Sequence, residues 1–306
     1  MTHRIRVAVL RGGPDAEREV SLDSGARVLA ALDQEPRFAT TDHVIDRPDA
    51  QELAAIEADV FFPVLHGPFG EGGVLQERLE TTGRPYVGCD PGASRLAMDK
   101  IATKERCTAA GIPTAAWSRL VPGEDPALEP PVVLKPVSEG SSVGVRICRT
   151  STELAEARPM LEADHDDIMI ERFVAGRELT VGVALGRVLP TIEIVPGDGF
   201  YDYEAKYERD DTEYIVDPPL PDGVDETCRR HAMATFEALG CRDLARVDFM
   251  LDDEGPWLLE VNTIPGFTDH SLVPMAAAKL GIGMRELCTR LVDVALERTG
   301  TGTPRN

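Results

Sequence analysis

Three oxygen-bearing side chains, Asp248, Glu260 and Asn262, interrupt two otherwise apolar stretches, ARVDFML and WLLEVN. Side chains i and i+2 of a strand share a face, so Glu260 and Asn262 point one way and Val261 the other. By the same alternation Arg246, Asp248 and Met250 share a face of the first stretch. DDEG between the stretches reads as a hairpin turn, and pairing brings the three oxygen groups together. Two carboxylates and an amide, without His or Cys, suit a hard cation, Mg²⁺ rather than Zn²⁺. Mg²⁺ commonly shares its shell with substrate phosphates. A plain salt bridge from Arg246 to Asp248 or Glu260 fits the same residues, and at this level both readings stand.

Phosphate chemistry also needs cations and backbone donors. Lys135 ends the apolar run VVLKP, just before SEGSSVGV. Gly140 and Gly144 permit a tight loop there, Ser141 and Ser142 bring hydroxyls, and inward N–H groups would cradle a polyphosphate. A flexible hairpin is an equally good reading. The loop lacks the G-x-x-x-x-G-K-[ST] spacing, which excludes the common P-loop. Lys100 in MDKIATK and Lys206 in YEAKY are further cations. A single lysine is usually a solvated charge; the pairing with an acidic strand end gives these their interest.

The elements that must position these groups follow from hydrophobic pattern. IRVAVL and DVFFPVL read as buried strands, with helices at Ser21–Leu32 and Gln51–Glu57, a βαβ rhythm that makes a parallel sheet. Ligands of such sheets sit beyond the strands' carboxyl ends, where RGG and HGPFGEGG begin. PYVGCDPGAS reads as a short strand and turns marking a boundary, followed by one helix over Arg95–Ala110. PVVLKP, VRIC and DIMIERF are strands of a small unit with a helix from Thr152. ELTVGVAL and GRVLPTIEIVP continue into a second sheet with the hairpin. GDGFYDYEAKYERDDTEY reads as a long functional loop. Helices at Glu226–Leu239, Val273–Lys279 and Met284–Arg298 complete the chain.

Composition sets limits. A formal net charge of −21, from 53 acidic and 32 basic side chains, argues against non-specific nucleic-acid binding. It leaves room for an anionic ligand held by a few cations in a cleft. Six scattered cysteines form no C-x-x-C pair, which argues against a zinc site and fits reduced thiols in the cytoplasm. The N-terminal apolar run is too short for a secretory signal, and nothing approaches the ~20 apolar residues of a membrane span.

Taken in order, Lys100, Lys135, EGSSVG, IERFVAGRE, FYDYEAKY, ARVDF and LEVNTIPGFTDHSLVP resemble the ATP-grasp enzymes. RGGPDAEREVSLDSG and LHGPFGEGG narrow the resemblance to the D-alanine–D-alanine ligase family, over roughly residues 6–296. The resemblance implies an α/β ATP-grasp fold: an N-terminal Rossmann-like parallel-sheet domain (1–93), a small central α+β domain (94–178) and a C-terminal α+β domain with the metal site (179–306). It implies ATP-dependent joining of two D-alanines through a D-alanyl phosphate, in peptidoglycan precursor synthesis, with ATP and two Mg²⁺ ions (or Mn²⁺), in a cytoplasmic homodimer.

The resemblance also assigns roles. Asp248, Glu260 and Asn262 match the metal ligands. Lys100, Lys135 and Lys206 match phosphate contacts, with Ser142 in the nucleotide loop. Glu171, Phe173 and Val174 match the adenine site, and Glu178 a ribose acceptor. Glu17 and His66 match the first D-alanine's site, although DAERE also reads as an ordinary acidic helix start. Arg246 and the N–H of Gly266 match an oxyanion hole. Ser271 and Leu272 match the pocket for the second substrate's carboxylate. Ser141 and Tyr207 match a network with Glu17. The chain departs from the family pattern at Gly72, usually Asp, at Arg172, commonly Lys, and at Leu134, usually Val. A D-alanine–D-lactate ligase and a non-catalytic nucleotide-binding relative are the alternatives. Tyr207 speaks against the first, and the presence of Arg246, Asp248, Glu260 and Asn262 against the second.

Overall fold

The computed structural model describes residues 4–197 and 211–300, with the backbone alone at 299–300. Among the described residues three sheets carry the fold. The first is parallel, in the order β2 (Phe38–Ile45), β1 (Ile5–Gly12), β3 (Val60–Pro63). Its middle strand reads IRVAVLRG, with Val7 to Leu10 fully buried because both faces are covered. On one face α1 (Arg18–Leu32) and the C-terminal α10 (Met284–Gly300) join Val9 and Phe62 in one core. On the other, Leu53 of α2 (Ala50–Ala55) and Leu75 of α4 (Val74–Thr81) bury Ala8 and Leu10.

The second sheet is antiparallel, in the order β4 (Trp117–Arg119), β7 (Ile168–Arg172), β5 (Val132–Pro136), β6 (Arg146–Cys148), with α7 (Ser151–Asp164) against it. Thr150 and Glu153 form a capping box at the start of α7. The third sheet runs β10 (Glu213–Val216), β9 (Arg187–Val195), β8 (Arg177–Ala184), β11 (Leu244–Asp252), β12 (Gly255–Asn262). Helix α8 (Val224–Ala238) covers one face and α9 (Leu272–Lys279) packs on the other.

Several expectations need correction. The single helix over Arg95–Ala110 is two helices, α5 (Pro91–Met98) and α6 (Lys100–Ala109). Asp99 breaks it by taking extended angles (φ −80°, ψ 104°) while its side chain caps Ala102 N–H at 2.9 Å. That break makes Lys100 the first residue of a helix. PYVGCDPGAS holds only one parallel bridge, Tyr86 to Phe61, and α5 already starts inside it. β2 has no counterpart in the sequence reading, since as an edge strand it keeps polar, exposed residues such as Thr41 and Asp42. The short α3 (Gly67–Glu71), α4 and β4 were also not anticipated. The expected long loop is a strand at its C-terminal end, where Glu213 and Tyr214 enter β10, and its residues 198–210 lie outside the described residues.

Candidate active site

The hairpin pairs as its sequence predicts. Asp248 faces Glu260 across β11 and β12, and Arg246 faces Asn262. A bulge after Asp248 leaves Leu259 unpaired between Leu258 and Glu260. Bulges re-aim side chains. Here Leu258 stays in the core while Leu259 and Glu260, adjacent in sequence, both reach a cavity.

Two cavities flank this strand end. The larger, about 840 Å³, is lined by Glu17, His66, Glu71, Ser141, Arg246 and Asn262, and further by Gly266, Ser271 and Leu272. The smaller, about 470 Å³, is lined by Lys135, Ser142, Glu171, Phe173, Val174 and Glu178. Lys100, Glu139 and Glu260 line both. The residues matched to amino-acid substrates therefore gather in one chamber and those matched to a nucleotide in the other. Lys206 and Tyr207 lie outside the described residues.

Glu17 does not behave as an acidic helix start. It occupies the N-cap of α1 but makes no side-chain cap bond. Its carboxylate is buried and accepts the hydroxyl of Ser141 from the glycine–serine loop. Ser141 and Ser142 hold left-handed backbone angles (φ 49° and 58°), which non-glycine residues adopt only under local strain. Two serines on α1 fix the surrounding loops. Ser21 Oγ accepts Gly12 N–H at 2.8 Å and donates to the Val64 carbonyl at 2.6 Å, and Ser24 Oγ accepts Phe267 N–H at 3.0 Å. Phe267 packs edge-on against Phe62, centroids 5.6 Å apart. Gly266 is thereby held between the first and third sheets.

Electrostatics follow from burial. His66, the N-cap residue of α3, is 5% exposed, and its Nε2 has no hydrogen-bond partner among the described residues. Burial pushes its pKa below the usual histidine value, against the pull of Glu17. Glu71 is a site residue the sequence reading passed over. Burial, with the nearby Glu17 charge, pushes its carboxyl up to about 8. Its compensating bonds are long, 3.2 Å from Gly67 N–H and 3.4 Å from Ile264 N–H. In the smaller cavity, burial alone would raise Glu171, but Lys104 and Lys135 outweigh it and hold the carboxylate below its usual range. Lys135 Nζ lies 2.5 Å from Glu171 Oε2, and the fully buried Lys104 bonds the other oxygen. Burial lowers Lys104 despite Glu171; Lys135 is driven up because Glu171 overcomes its burial. Lys104 was also missed, though it follows Lys100 by one helical turn in MDKIATK.

The metal question divides the three oxygen groups. Glu260 stands where the cavities meet, 4.0 Å from Lys100 Nζ, and Asn262 lines the larger one. Asp248 lines neither. It takes Arg246 Nη2 at 2.8 Å, Arg246 Nε at 2.9 Å and Thr180 Oγ1 at 2.5 Å. The alternative of an Arg246–Asp248 salt bridge is thus present in the structure. Among the described residues no group of three or more His, Cys, Asp or Glu is placed for a metal. Glu260 and Asn262 are oxygen donors that fit a hard cation, whereas Asp248 is engaged by Arg246 and Thr180 and would have to release part of that contact to join them. Ser271 Oγ accepts Thr268 N–H at 2.8 Å instead of capping α9.

A chamber of carboxylate, imidazole and guanidinium groups opening onto a lysine-lined slot is the layout of an ATP-dependent carboxylate ligase. Two family models match the chain: D-ala D-ala ligase N-terminus over residues 39–89 and D-ala D-ala ligase C-terminus over residues 108–293. The D-alanine–D-alanine ligase of Syntrophotalea carbinolica is 42% identical over 290 residues, covering 94% of this chain and 95% of the relative. The D-alanine–D-alanine ligase B of Chromobacterium violaceum is 44% identical over 297 residues, covering 94% and 97%. Among solved structures, the Bacillus anthracis D-alanine–D-alanine ligase complexed with ATP superposes with a TM-score of 0.82 at 30% identity, covering 97% of this chain and 99% of that one. The Coxiella burnetii enzyme gives 0.85 at 27% identity, covering 98% and 96%. The chain belongs to the D-alanine–D-alanine ligase family.

Proposed function

We propose that this protein joins two D-alanines to D-alanyl-D-alanine, with ATP converted to ADP and phosphate, for peptidoglycan precursors. The observation that carries this reading is the junction of the two chambers at Lys100, Glu139 and Glu260. A γ-phosphoryl group entering from the nucleotide side meets a substrate carboxylate on the other side there. Phosphoryl transfer gives an acyl phosphate, and attack by the second D-alanine's amine expels phosphate as the peptide bond forms.

The chain's own residues position and neutralise. Glu17 takes the first D-alanine's ammonium, beside the neutral His66. Arg246 and the Gly266 N–H stabilise the oxyanion. Ser271, Leu272 and the N-terminus of α9 receive the second substrate's carboxylate. Lys100, Lys135 and Lys206, with Ser142, hold the phosphates. Glu171, Phe173, Val174 and Glu178 take the nucleoside, Ser141 ties the glycine–serine loop to Glu17, and Tyr207 keeps the role in that network that the resemblance assigns it. Glu260, Asn262 and Asp248 would hold Mg²⁺, which when bound offsets phosphate charge. We read the enzyme as a cytoplasmic homodimer organised in the three domains the sequence suggests. No described helix is long and apolar enough to cross a membrane.

The test is Glu260→Gln, assayed for D-alanine-dependent phosphate release across an Mg²⁺ titration. The reading expects loss of at least a hundredfold in kcat/KM with an unchanged unfolding midpoint. Full activity at low Mg²⁺ would remove Glu260 from the metal.

A further inference from the structure

Arg172, the last residue of β7, belongs to the second sheet, yet its guanidinium lies against the hairpin of the third. Its Cζ stands 4.7 Å above the centre of the Trp257 ring, and its Nη1 is 3.8 Å from Asp252 Oδ2. Asp252 Oδ1 accepts the Trp257 indole N–H at 2.8 Å and Glu254 N–H at 2.9 Å. The three side chains therefore close one set of contacts across two sheets. Arg172 lines the smaller cavity beside Phe173, Val174 and Met250, whereas Asp252 and Trp257 stand behind it.

The same hairpin receives both chain segments that join the second sheet to the rest. On entry, Leu258 N–H donates to the Pro113 carbonyl at 2.9 Å. On exit, Gly176 passes so close that a Cβ there would sit 1.9 Å from the Leu251 carbonyl oxygen. The entry crossing lies two residues from Glu260, whereas the exit crossing at Leu251 lies next to Asp252 of the clasp. The Arg172 clasp sits on the same hairpin as these two crossings.

We propose that Trp257 and Asp252 are positioning residues that hold the Arg172 guanidinium over the base end of the nucleotide cleft and fix the sheet spacing there. This rests on the nucleotide reading of the smaller cavity. A guanidinium suits the task because its plane lies flat on an indole while its edge still donates. The polyphosphate end has its own lysines, Lys100 and Lys135, so the clasp acts on the base and leaves the phosphate end alone.

The experiment is calorimetric binding of ADP and of tripolyphosphate, with Mg²⁺ present, to the wild-type chain and to the W257L, W257F and D252N variants. W257L should weaken ADP binding about five- to tenfold, in line with a partly desolvated cation–π contact. Tripolyphosphate binding and kcat at saturating ATP should stay within about twofold, so the loss appears in KM for ATP. W257F keeps a ring face and should retain ADP binding within about twofold. D252N keeps the indole acceptor but loses the charge, and should weaken ADP alone, by less than W257L. Equal weakening of ADP and tripolyphosphate, the mark of a generally loosened fold, overturns the proposal. So does unchanged ADP binding in both W257L and D252N. A wild-type chain that binds tripolyphosphate but gains nothing from the nucleoside overturns the nucleotide reading and the clasp together.

Discussion

Replacing Glu71 by Gln isolates one buried ionisation and tests the electrostatics of the larger chamber. Glu71 ends α3 with 7% exposure, and burial pushes its pKa up to about 8 from an ordinary value of 4.5. Between those values the folded chain keeps the proton and the unfolded chain loses it. The native state then binds more protons, so this group's contribution falls as pH rises from about 4.5 to about 8 and levels off above. The slope is about 1.4 kcal/mol per pH unit, which gives a loss of about 2–3 kcal/mol from pH 5.5 to 7.5. Glu71→Gln has the same shape and an amide oxygen for Gly67 and Ile264 N–H, but no titration. Urea unfolding of both proteins at matched ionic strength gives the difference at each pH, and other titrating groups cancel. The variant should gain about 2–3 kcal/mol on the wild type across that window. Parallel pH dependences would refute the reasoning, because they would mean Glu71 ionises alike in both states.

Other sites give sharp expectations. Glu171→Gln leaves Lys104 and Lys135 without their shared counter-charge and should cost about 3–5 kcal/mol, read as a fall in thermal midpoint. At Gly72 a Cβ would lie 2.3 Å from the Pro68 carbonyl oxygen, so Gly72→Asp should cost about 1–3 kcal/mol in urea unfolding. Phe267→Ala removes the ring packed on Phe62 and should cost about 3–5 kcal/mol. It also frees the Gly266 loop, so kcat should fall even below the thermal transition; unchanged kcat would detach that loop from the oxyanion site.

The hairpin was legible in the sequence because β alternation and a DDEG turn are local signals, and Asp248 opposite Glu260 follows from them. The gathering of the residues matched to amino-acid substrates and of those matched to a nucleotide into adjoining cavities was not anticipated, because it depends on how distant loops meet. What stayed hidden depends on tertiary approach. Asp99 reads as one more helical residue until its side chain is seen capping α6. Lys104 looks like a surface lysine until β7 brings Glu171 against it. Glu71 has its pKa raised by burial, and the Ile264 N–H that pulls it back comes from far along the chain. Thr180, a polar residue in an apolar strand, carried a weak local signal of its bond to Asp248. The Arg172–Trp257 contact joins two sheets and leaves no trace in spacing.

The most direct test of the central claim is phosphate release by the purified protein with ATP and Mg²⁺, given D-alanine, L-alanine, or D-alanine plus D-lactate, with products identified by mass. The account predicts release that requires D-alanine and yields D-alanyl-D-alanine, with little depsipeptide at neutral pH. Nucleotide binding without D-alanine-dependent turnover, or depsipeptide as the main product, would contradict it.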